Sequence, residues 1–335
     1  MTPPSVSNVL IVTGGTSGIG AALVNYGRST LGYDVIFTGS RPVEEVPFYL
    51  NPTKNGTHYV QADVSDPVQM RKLGEKAQEV IGGRSIRLLT VASAGVSLRG
   101  SDDAVARMRD INVGGTRNLR ALFAELSASE DDLFVGVGSI VAAEGIAVKG
   151  DEAYQETKRA IHQLTQRVQH DYTDVLGQGL TLMPGAVDTP MTRKELIFAM
   201  LLLGAVTSTG TSPLHAGLLQ AGGFQIGQSI TPSELLIGLL NLDGELKDKV
   251  FADPGLTRRG KVAVLAQARR EPSIINRAAD ILHRLDVVIT PDLVAQRVFE
   301  AFEAEPRVLP EDGMLKVYSQ GDQKPILHLM NSLGG

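Results

Sequence analysis

From residue 8 to about 185, short β-branched runs alternate with longer amphipathic stretches, the pattern of βαβ units on a parallel sheet. Near-continuous apolar runs such as Leu133-Phe-Val-Gly-Val137 suit strands covered on both faces. The pattern predicts strands at Asn8–Thr13, Asp34–Thr38, His58–Ala62, Ile86–Ala92, Leu133–Gly138 and Gly179–Met183. Between them it predicts helices over roughly 18–31, 66–81, 102–127 and 152–176. Right-handed crossovers then give an α/β fold with a doubly wound parallel sheet.

After Met183 the rhythm breaks. Residues 191–290 offer no strand, and they hold an apolar segment, Ile197–Val206, followed by the small polar stretch Thr207–Pro213. Helical patterns follow at Ser233–Leu240 and Gly260–Leu285, and the α/β pattern resumes with a helix from Pro291 through Glu303 and a strand at Met314–Tyr318. Three segments are expected: a core over 1–190, a mainly helical insertion over 191–290, and a return to the core over 291–335. The insertion reads either as material that completes the core or as a lid over a substrate pocket, and the two readings are compatible.

Composition narrows the classes. At 43% apolar and 21% charged, the 335 residues suit a soluble globular chain with a substantial core. A net charge of -5 gives no electrostatic case for nucleic acid or an anionic membrane. The absence of cysteine excludes disulfides, thiolate metal sites and a cysteine nucleophile, and it fits a reducing compartment. The first residues lack the basic region and apolar stretch of a signal peptide, and Ile197–Val206 is about half the ~20 residues that cross a bilayer. A cytoplasmic enzyme without a transmembrane segment is the expectation. His162 and His170 stand eight apart on one helix, too far for joint ligation, so no metal site is expected.

Chemistry enters at the first strand. Asn8-Val-Leu-Ile-Val-Thr-Gly-Gly-Thr-Ser-Gly-Ile-Gly20 follows a strand and opens a helix. Gly14, Gly18 and Gly20 let the backbone turn tightly and approach a pyrophosphate at the positive end of that helix. Tyr154 and Lys158 lie four apart, side by side on one helical face. A free phenol titrates near pH ~10, and a neighbouring ammonium lowers that value. Taken alone, such a pair is usually a solvated surface feature; beside the glycine turn it becomes a candidate proton donor.

Thr13-Gly-x-x-x-Gly-Ile-Gly20, Asp63-Val64, Ala94-Gly95, Asn112, Ser139, Tyr154-x-x-x-Lys158 and Pro184-Gly185 occur here in one order. In that order they resemble the short-chain dehydrogenases/reductases, over roughly residues 8–190 and again over 291–320. The resemblance implies a Rossmann-type α/β/α fold and roles residue by residue. Tyr154 would be the catalytic acid/base, and Lys158 would hold the nicotinamide ribose and depress the tyrosine pKa. Ser139 would hydrogen-bond the substrate oxygen, and Asn112 would fix a water relaying protons to Lys158. Coenzyme contacts are implied at Gly14, Thr16, Ser17, Gly18, Ile19, Gly20, Asp63 (adenine), Val64, Ala94, Gly95, Pro184, Gly185, Val187 and Thr189, the last two at the nicotinamide carboxamide. The same pattern implies a homodimer or homotetramer using helices 102–127 and 152–176, where Val105, Ile111, Ile161 and Leu164 serve core or interface equally.

Coenzyme preference turns on the end of the second strand. NAD-selective enzymes place a carboxylate there for the ribose 2′-hydroxyl, and none stands at 38–41. Arg41 suits a 2′-phosphate, so NADP(H) is expected rather than NAD(H). An apolar carbonyl or alcohol substrate is expected from Ile197–Val206 with Leu214, Leu218, Leu219 and Phe224. Three features depart from the family pattern. The usual Asn-Asn-Ala-Gly is Ala92-Ser93-Ala94-Gly95, the Ser139-to-Tyr154 interval is longer through Glu144–Gly150, and 191–290 exceeds an ordinary substrate loop. Rival readings are a fold-mate that uses the nucleotide for epimerisation, dehydration or cyclisation, and a non-catalytic nucleotide sensor. The complete Ser139, Tyr154 and Lys158 set favours redox chemistry over both.

Overall fold

The computed structural model describes residues 6–50, 56–98, 100–143, 152–171, 176–193, 213–226, 228–255, 270–285, 288–305 and 307–318, with isolated residues between 257 and 267. The chain divides into two compact units, one of residues up to Gly185 together with Thr290–Val317, the other built on Ala186–Ile289.

The first unit is a seven-stranded parallel sheet in the order β3-β2-β1-β4-β5-β6-β7. Its strands are β1 Ser7–Thr13, β2 Asp34–Gly39, β3 Thr57–Gln61, β4 Ile86–Ala92, β5 Leu133–Val137, β6 Gln178–Pro184 and β7 Met314–Val317. The helices are α1 Gly18–Ser29, α2 Pro67–Ile81, α3 Asp102–Arg109, α4 Gly115–Leu126, α5 Ile140–Ala143, α6 Glu152–Gln166 and α7 Val168–Asp171. Because β1 pairs with β2 on one side and β4 on the other, the order reverses at β1, the switch point where such sheets bind ligands. Thr13 lies opposite Ala92 there, so the glycine turn and the Ser93-Ala94-Gly95 turn leave the sheet as neighbours.

Burial explains the layers. Every residue of β5 is buried, as expected for a strand covered on both faces. On one face Val9, Ile11, Ile36 and Leu88 pack with Leu73, Leu119 and Phe123 of α2 and α4. Phe123 and Phe134 set their rings 5.6 Å apart within that layer. On α1, Tyr26 stacks on Phe299 of the helix Pro291–Glu303 at 5.4 Å. Local signals fix the helix ends: Asp66 caps α2 by accepting from Val68 and Gln69 N–H, Pro67 opens it, and Gly82 at φ 54° closes it.

Two expected helices change form. The stretch 102–127 is interrupted by a π-helical turn at Asp110–Gly114 between α3 and α4. The helix expected at 152–176 is α6 followed by α7, and residues 172–175 lie outside the described ones.

The second unit contains α8 Pro213–Ala221, α9 Pro232–Leu240, α10 Gly244–Phe251 and α11 Pro272–Arg284, after which α12, Pro291–Glu303, belongs again to the first unit. A capping box, Thr231 with Glu234, starts α9. Leu218 and Leu219 of α8, Leu235, Leu236, Leu239 and Leu240 of α9, and Ala278, Ala279, Ile281 and Leu282 of α11 form a core of their own. Among the described residues no helix is long and apolar enough to cross a membrane.

Candidate active site

The turn after β1 is built around two glycines. Gly14 has φ +67°, and a Cβ there would stand 2.7 Å from the Ala94 Cα, so the turn lies directly against the β4 exit. A Cβ on Gly20 would stand 2.3 Å from the Gly14 carbonyl oxygen. Ala94 N–H donates to Thr13 Oγ1 at 3.4 Å, tying the two exits together without the family's asparagines. Ser17 occupies the N-cap of α1 but makes no side-chain capping bond, and no acidic residue stands in the first turn. The first amides of α1 thus have no side-chain cap. Thr16 is buried, Ile19 half-buried and Ser17 exposed.

At the C-terminal end of β5 the predicted proton-transfer residues gather. Lys158 is 5% exposed and donates from Nζ to the Val137 carbonyl at 2.9 Å, two residues before Ser139. Its Nζ lies 5.5 Å from the centre of the Tyr154 ring. Burial pushes the Lys158 ammonium down to about 8. The helix comes this close because β6 has no side chain at Gly179, where a Cβ would stand 2.1 Å from the Thr165 carbonyl oxygen. The Ser139 carbonyl accepts from Ala142 N–H, while its half-buried hydroxyl has no partner among the described residues. That hydroxyl is not used as a helix cap. Glu144–Gly150, the lengthened interval before Tyr154, lies outside the described residues.

Asn112 sits in the π turn, fully buried. Its amide donates to Val96 O at 2.9 Å and Thr157 Oγ1 at 3.1 Å, and its Oδ1 accepts from Val96 N–H at 2.8 Å. Thr157 in turn donates to the Tyr154 carbonyl at 2.7 Å, so one hydroxyl joins the asparagine to the Tyr154–Lys158 helical turn. The Asn112 carbonyl accepts from Thr116 Oγ1 at 2.6 Å. A Cβ on Gly95 would stand 3.5 Å from Lys158 Nζ and 3.4 Å from Asn112 Oδ1, which places all three together. A π turn of this kind commonly marks a site where geometry serves function.

Asp63 and Val64 follow β3. The Asp63 carboxylate accepts from the Ser65 N–H and hydroxyl at 3.0 and 2.7 Å and pairs with Arg107 of α3. Burial opposes ionisation, but the Ser65 and Arg107 hydrogen bonds prevail and hold its carboxyl below the usual value. At the β2 exit Arg41 is exposed, and among the described residues its guanidinium forms no ion pair. Pro184 ends β6, and Gly185 N–H donates to Val317 O at 2.9 Å.

Val187 and Thr189 belong to the second unit. Val187 bridges Ile289, and the Thr192 hydroxyl donates to the Val187 carbonyl and lies 3.0 Å from Thr189 Oγ1. Between them Asp188 accepts from Arg193 at 2.7 and 3.1 Å and faces His283 Nε2 at 3.2 Å. Burial raises the Asp188 carboxyl, and the Arg193 and His283 contacts outweigh it, leaving the group below its ordinary range. Of the residues expected to favour an apolar ligand, Leu218 and Leu219 are fully buried in this unit's own core with Phe224 packed on it. Ile197–Val206 and the Leu214 side chain lie outside the described residues.

Sequence reasoning missed Thr116, Thr157, Arg107 and Tyr59. Thr157, adjacent to Lys158, and Thr116, one helical turn after Asn112, carried local signals; Arg107 and Tyr59 act across 44 and 20 residues of chain through contacts that no local pattern marks.

Residues 8–197 match the family model described as short chain dehydrogenase. An uncharacterized oxidoreductase of Staphylococcus saprophyticus is 28% identical over 192 residues, 55% of this chain and 80% of that protein. One of Staphylococcus epidermidis is 28% identical over 225 residues, 63% of this chain and 94% of the other. Among solved structures, a short chain dehydrogenase from Burkholderia cenocepacia in complex with NADP is similar in fold, with a TM-score of 0.57 and 20% identity over 93% of this chain and 96% of that one. With more than half its length matched and the motif residues gathered at one end of the sheet, the chain belongs to the short-chain dehydrogenase family of oxidoreductases.

Proposed function

We propose that the chain is an NADP(H)-dependent oxidoreductase that interconverts a ketone or aldehyde with an alcohol, with Tyr154 as acid/base. One observation carries this reading: the buried Lys158 ammonium touches the end of β5, two residues from Ser139, with the Tyr154 ring 5.5 Å away. A cation beside a phenol favours the phenolate, which lets the tyrosine exchange a proton near neutral pH. The Ser139 hydroxyl, without a protein partner among the described residues, is placed to donate to a substrate oxygen.

The residues present fit a dinucleotide coenzyme. Gly14 and Gly20 admit a backbone approach that a Cβ would block, and the uncapped start of α1 offers amides to a pyrophosphate. No carboxylate stands at 38–41, and Arg41 is exposed there, which favours a 2′-phosphate over a 2′-hydroxyl. The bound coenzyme supplies the hydride. The relative from Burkholderia cenocepacia, crystallised with NADP, agrees in fold with this choice. In the first unit Asp63, Val64, Ala94, Gly95, Pro184 and Gly185 would make the coenzyme contacts that the family pattern gives; Val187 and Thr189 carry the same expectation from the second unit. Asp63 offers the adenine only the acceptor capacity that Ser65 and Arg107 leave. A preference for an apolar substrate rests on Ile197–Val206 and the Leu214 side chain, which lie outside the described residues, because Leu218 and Leu219 serve a core. A homodimer or homotetramer would use the faces on which Val105, Ile111 and Leu164 are half-buried; Ile161 lies inside the protomer.

The test is NADPH consumption against a panel of ketones and aldehydes, with Tyr154→Phe alongside. Turnover should fall by about 10²-fold or more while NADPH binding persists. Undiminished turnover in the phenylalanine variant would remove Tyr154 from the chemistry.

A further inference from the structure

We infer that Tyr59 and Gln61 of β3 are positioning residues for coenzyme selectivity, fixing the backbone from which Ser40 and Arg41 would meet the 2′-phosphate of NADPH. The inference rests on the NADP(H) reading above and extends it to two residues that touch no coenzyme themselves.

The observations converge on three consecutive carbonyls. Tyr59 Oη lies within hydrogen-bonding reach of Gly39 O at 2.9 Å and Arg41 O at 2.5 Å, and its proton is shared between them. Gln61 Nε2 donates to Ser40 O at 3.2 Å. Residues 59 and 61 stand two apart on the same face of β3, so both side chains lean toward the β2 exit together. The β2–β3 ladder ends at the Gly39–Gln61 pair, so Ser40 and Arg41 lie beyond the strand pairing that would otherwise hold them. Side chains replace the ladder there.

The clamp is anchored on the glycine turn. The Tyr59 ring packs against Phe37 at 5.1 Å, and a Cβ on Gly15 would stand 2.8 Å from Phe37. At Gly39 a Cβ would stand 2.7 Å from the Thr16 methyl, so the β2 exit presses on the turn itself. Two strands, β2 and β3, and the glycine turn after β1 therefore lock one short backbone segment in place. Burial raises the Tyr59 phenol, against the lowering influence of Arg41, so the hydroxyl stays a donor through neutral pH.

Selectivity follows from preorganisation. A long exposed arginine must lose rotamer freedom to hold a phosphate, and a fixed backbone reduces how much more must be lost. NADH has no 2′-phosphate and gains nothing from that fixation. Loosening the clamp should therefore weaken NADPH and spare NADH, whereas a merely structural tyrosine would lower thermal stability and affect both coenzymes alike.

The experiment is calorimetric titration of the full chain, without substrate, using NADPH and NADH and then 2′,5′-ADP and ADP. The proteins are wild type, Tyr59→Phe, Gln61→Leu, Arg41→Ala and the Tyr59→Phe/Arg41→Ala double variant, each checked by thermal melting. Tyr59→Phe keeps the ring on Phe37 and removes only the hydroxyl; it should weaken NADPH and 2′,5′-ADP about 5- to 10-fold, with NADH and ADP within about 2-fold. Gln61→Leu, at an exposed position, should act in the same direction and serves if Tyr59→Phe fails to fold. In the Arg41→Ala background Tyr59→Phe should have a smaller effect on NADPH than in wild type, limited to what passes through Ser40. If Arg41→Ala weakens NADPH selectively but the Tyr59 and Gln61 variants leave the NADPH-to-NADH ratio unchanged, the clamp is overturned and the coenzyme reading stands. If Arg41→Ala leaves NADPH affinity unchanged, the 2′-phosphate reading is overturned and the clamp with it.

Discussion

Lys158→Met should abolish turnover and at the same time stabilise the chain at neutral pH. The ammonium is 5% exposed and its burial lowers the group from 10.5 to about 8. That gap of about 2.5 pH units, at about 1.4 kcal/mol each, amounts to about 3.5 kcal/mol of cost for keeping a charge out of water. Methionine has a similar reach without the charge, but it leaves the Val137 carbonyl without its donor, at a cost of about 1–2 kcal/mol. A net gain of about 2 kcal/mol at pH 7 is expected.

The pH dependence isolates the charge. The folded-state value lies below the unfolded one, so under pH 8 both states hold the proton and the penalty is fully present. Between 8 and 10.5 the unfolded chain keeps a proton that the folded chain has shed, and wild-type stability rises relative to the variant. Denaturant unfolding of both proteins at pH 7, 8, 9 and 10 should show methionine's advantage shrinking by about 2.5 kcal/mol over the range. Groups common to both proteins cancel in the difference, so an absolute unfolding free energy is not required of a chain with two compact units. Parallel pH curves for the two proteins would refute a buried, depressed ammonium.

Two further perturbations probe other parts of the molecule. Gly20→Ala sets a Cβ 2.3 Å from the Gly14 carbonyl oxygen, so NADPH affinity should fall about 10-fold or more by calorimetry with circular dichroism preserved, and unchanged affinity would contradict the close approach. Asp188→Asn weakens the bonds from Arg193 and His283 and should cost about 1–3 kcal/mol at pH 7 in thermal unfolding. Because the Asp188 carboxyl is depressed, that wild-type advantage should hold above the ordinary carboxylate range and disappear as pH falls through the depressed value; an advantage that grows in acid would reverse the assignment.

The sheet was legible in the sequence to within a residue or so. Ile86–Ala92 has the bounds its apolar pattern predicts, β1, β2 and β5 differ by one residue at one end, and β3 by one residue at each end. Strand burial repeats along the chain, so a local pattern carries it. The break at Asp110–Gly114 was not legible, because it accompanies bonds from Asn112 to Val96 and Thr157, 16 and 45 residues away. The Arg107–Asp63 pair and the Tyr59 clamp were hidden for the same reason. Motif order identified the candidate site residues, and the side chains that hold them came only from tertiary contact. The helices Pro213–Ala221 and Gly244–Phe251 were not separately predicted; the first follows the polar stretch ending at Pro213, which reads as loop.

The second unit illustrates a limit of pattern reading with a specific consequence for substrate choice. Leu218, Leu219 and Phe224 suggested an apolar ligand because they are large, clustered and placed where the family's substrate loop lies. Periodicity reports that a face is buried and says nothing of what buries it. Here Leu218 and Leu219 meet Leu235, Leu239 and Leu282, so their apolar character is fully explained by a core that needs no ligand. A ligand contact is better marked by the opposite property, a polar group kept near the core without a protein partner, since such groups are otherwise almost always hydrogen-bonded. The Ser139 hydroxyl is half-buried and has no partner among the described residues, two positions beyond the Val137 carbonyl that the buried ammonium meets. The expectation of an apolar substrate therefore rests on Ile197–Val206 and Leu214 alone, which periodicity marks as apolar without saying what covers them.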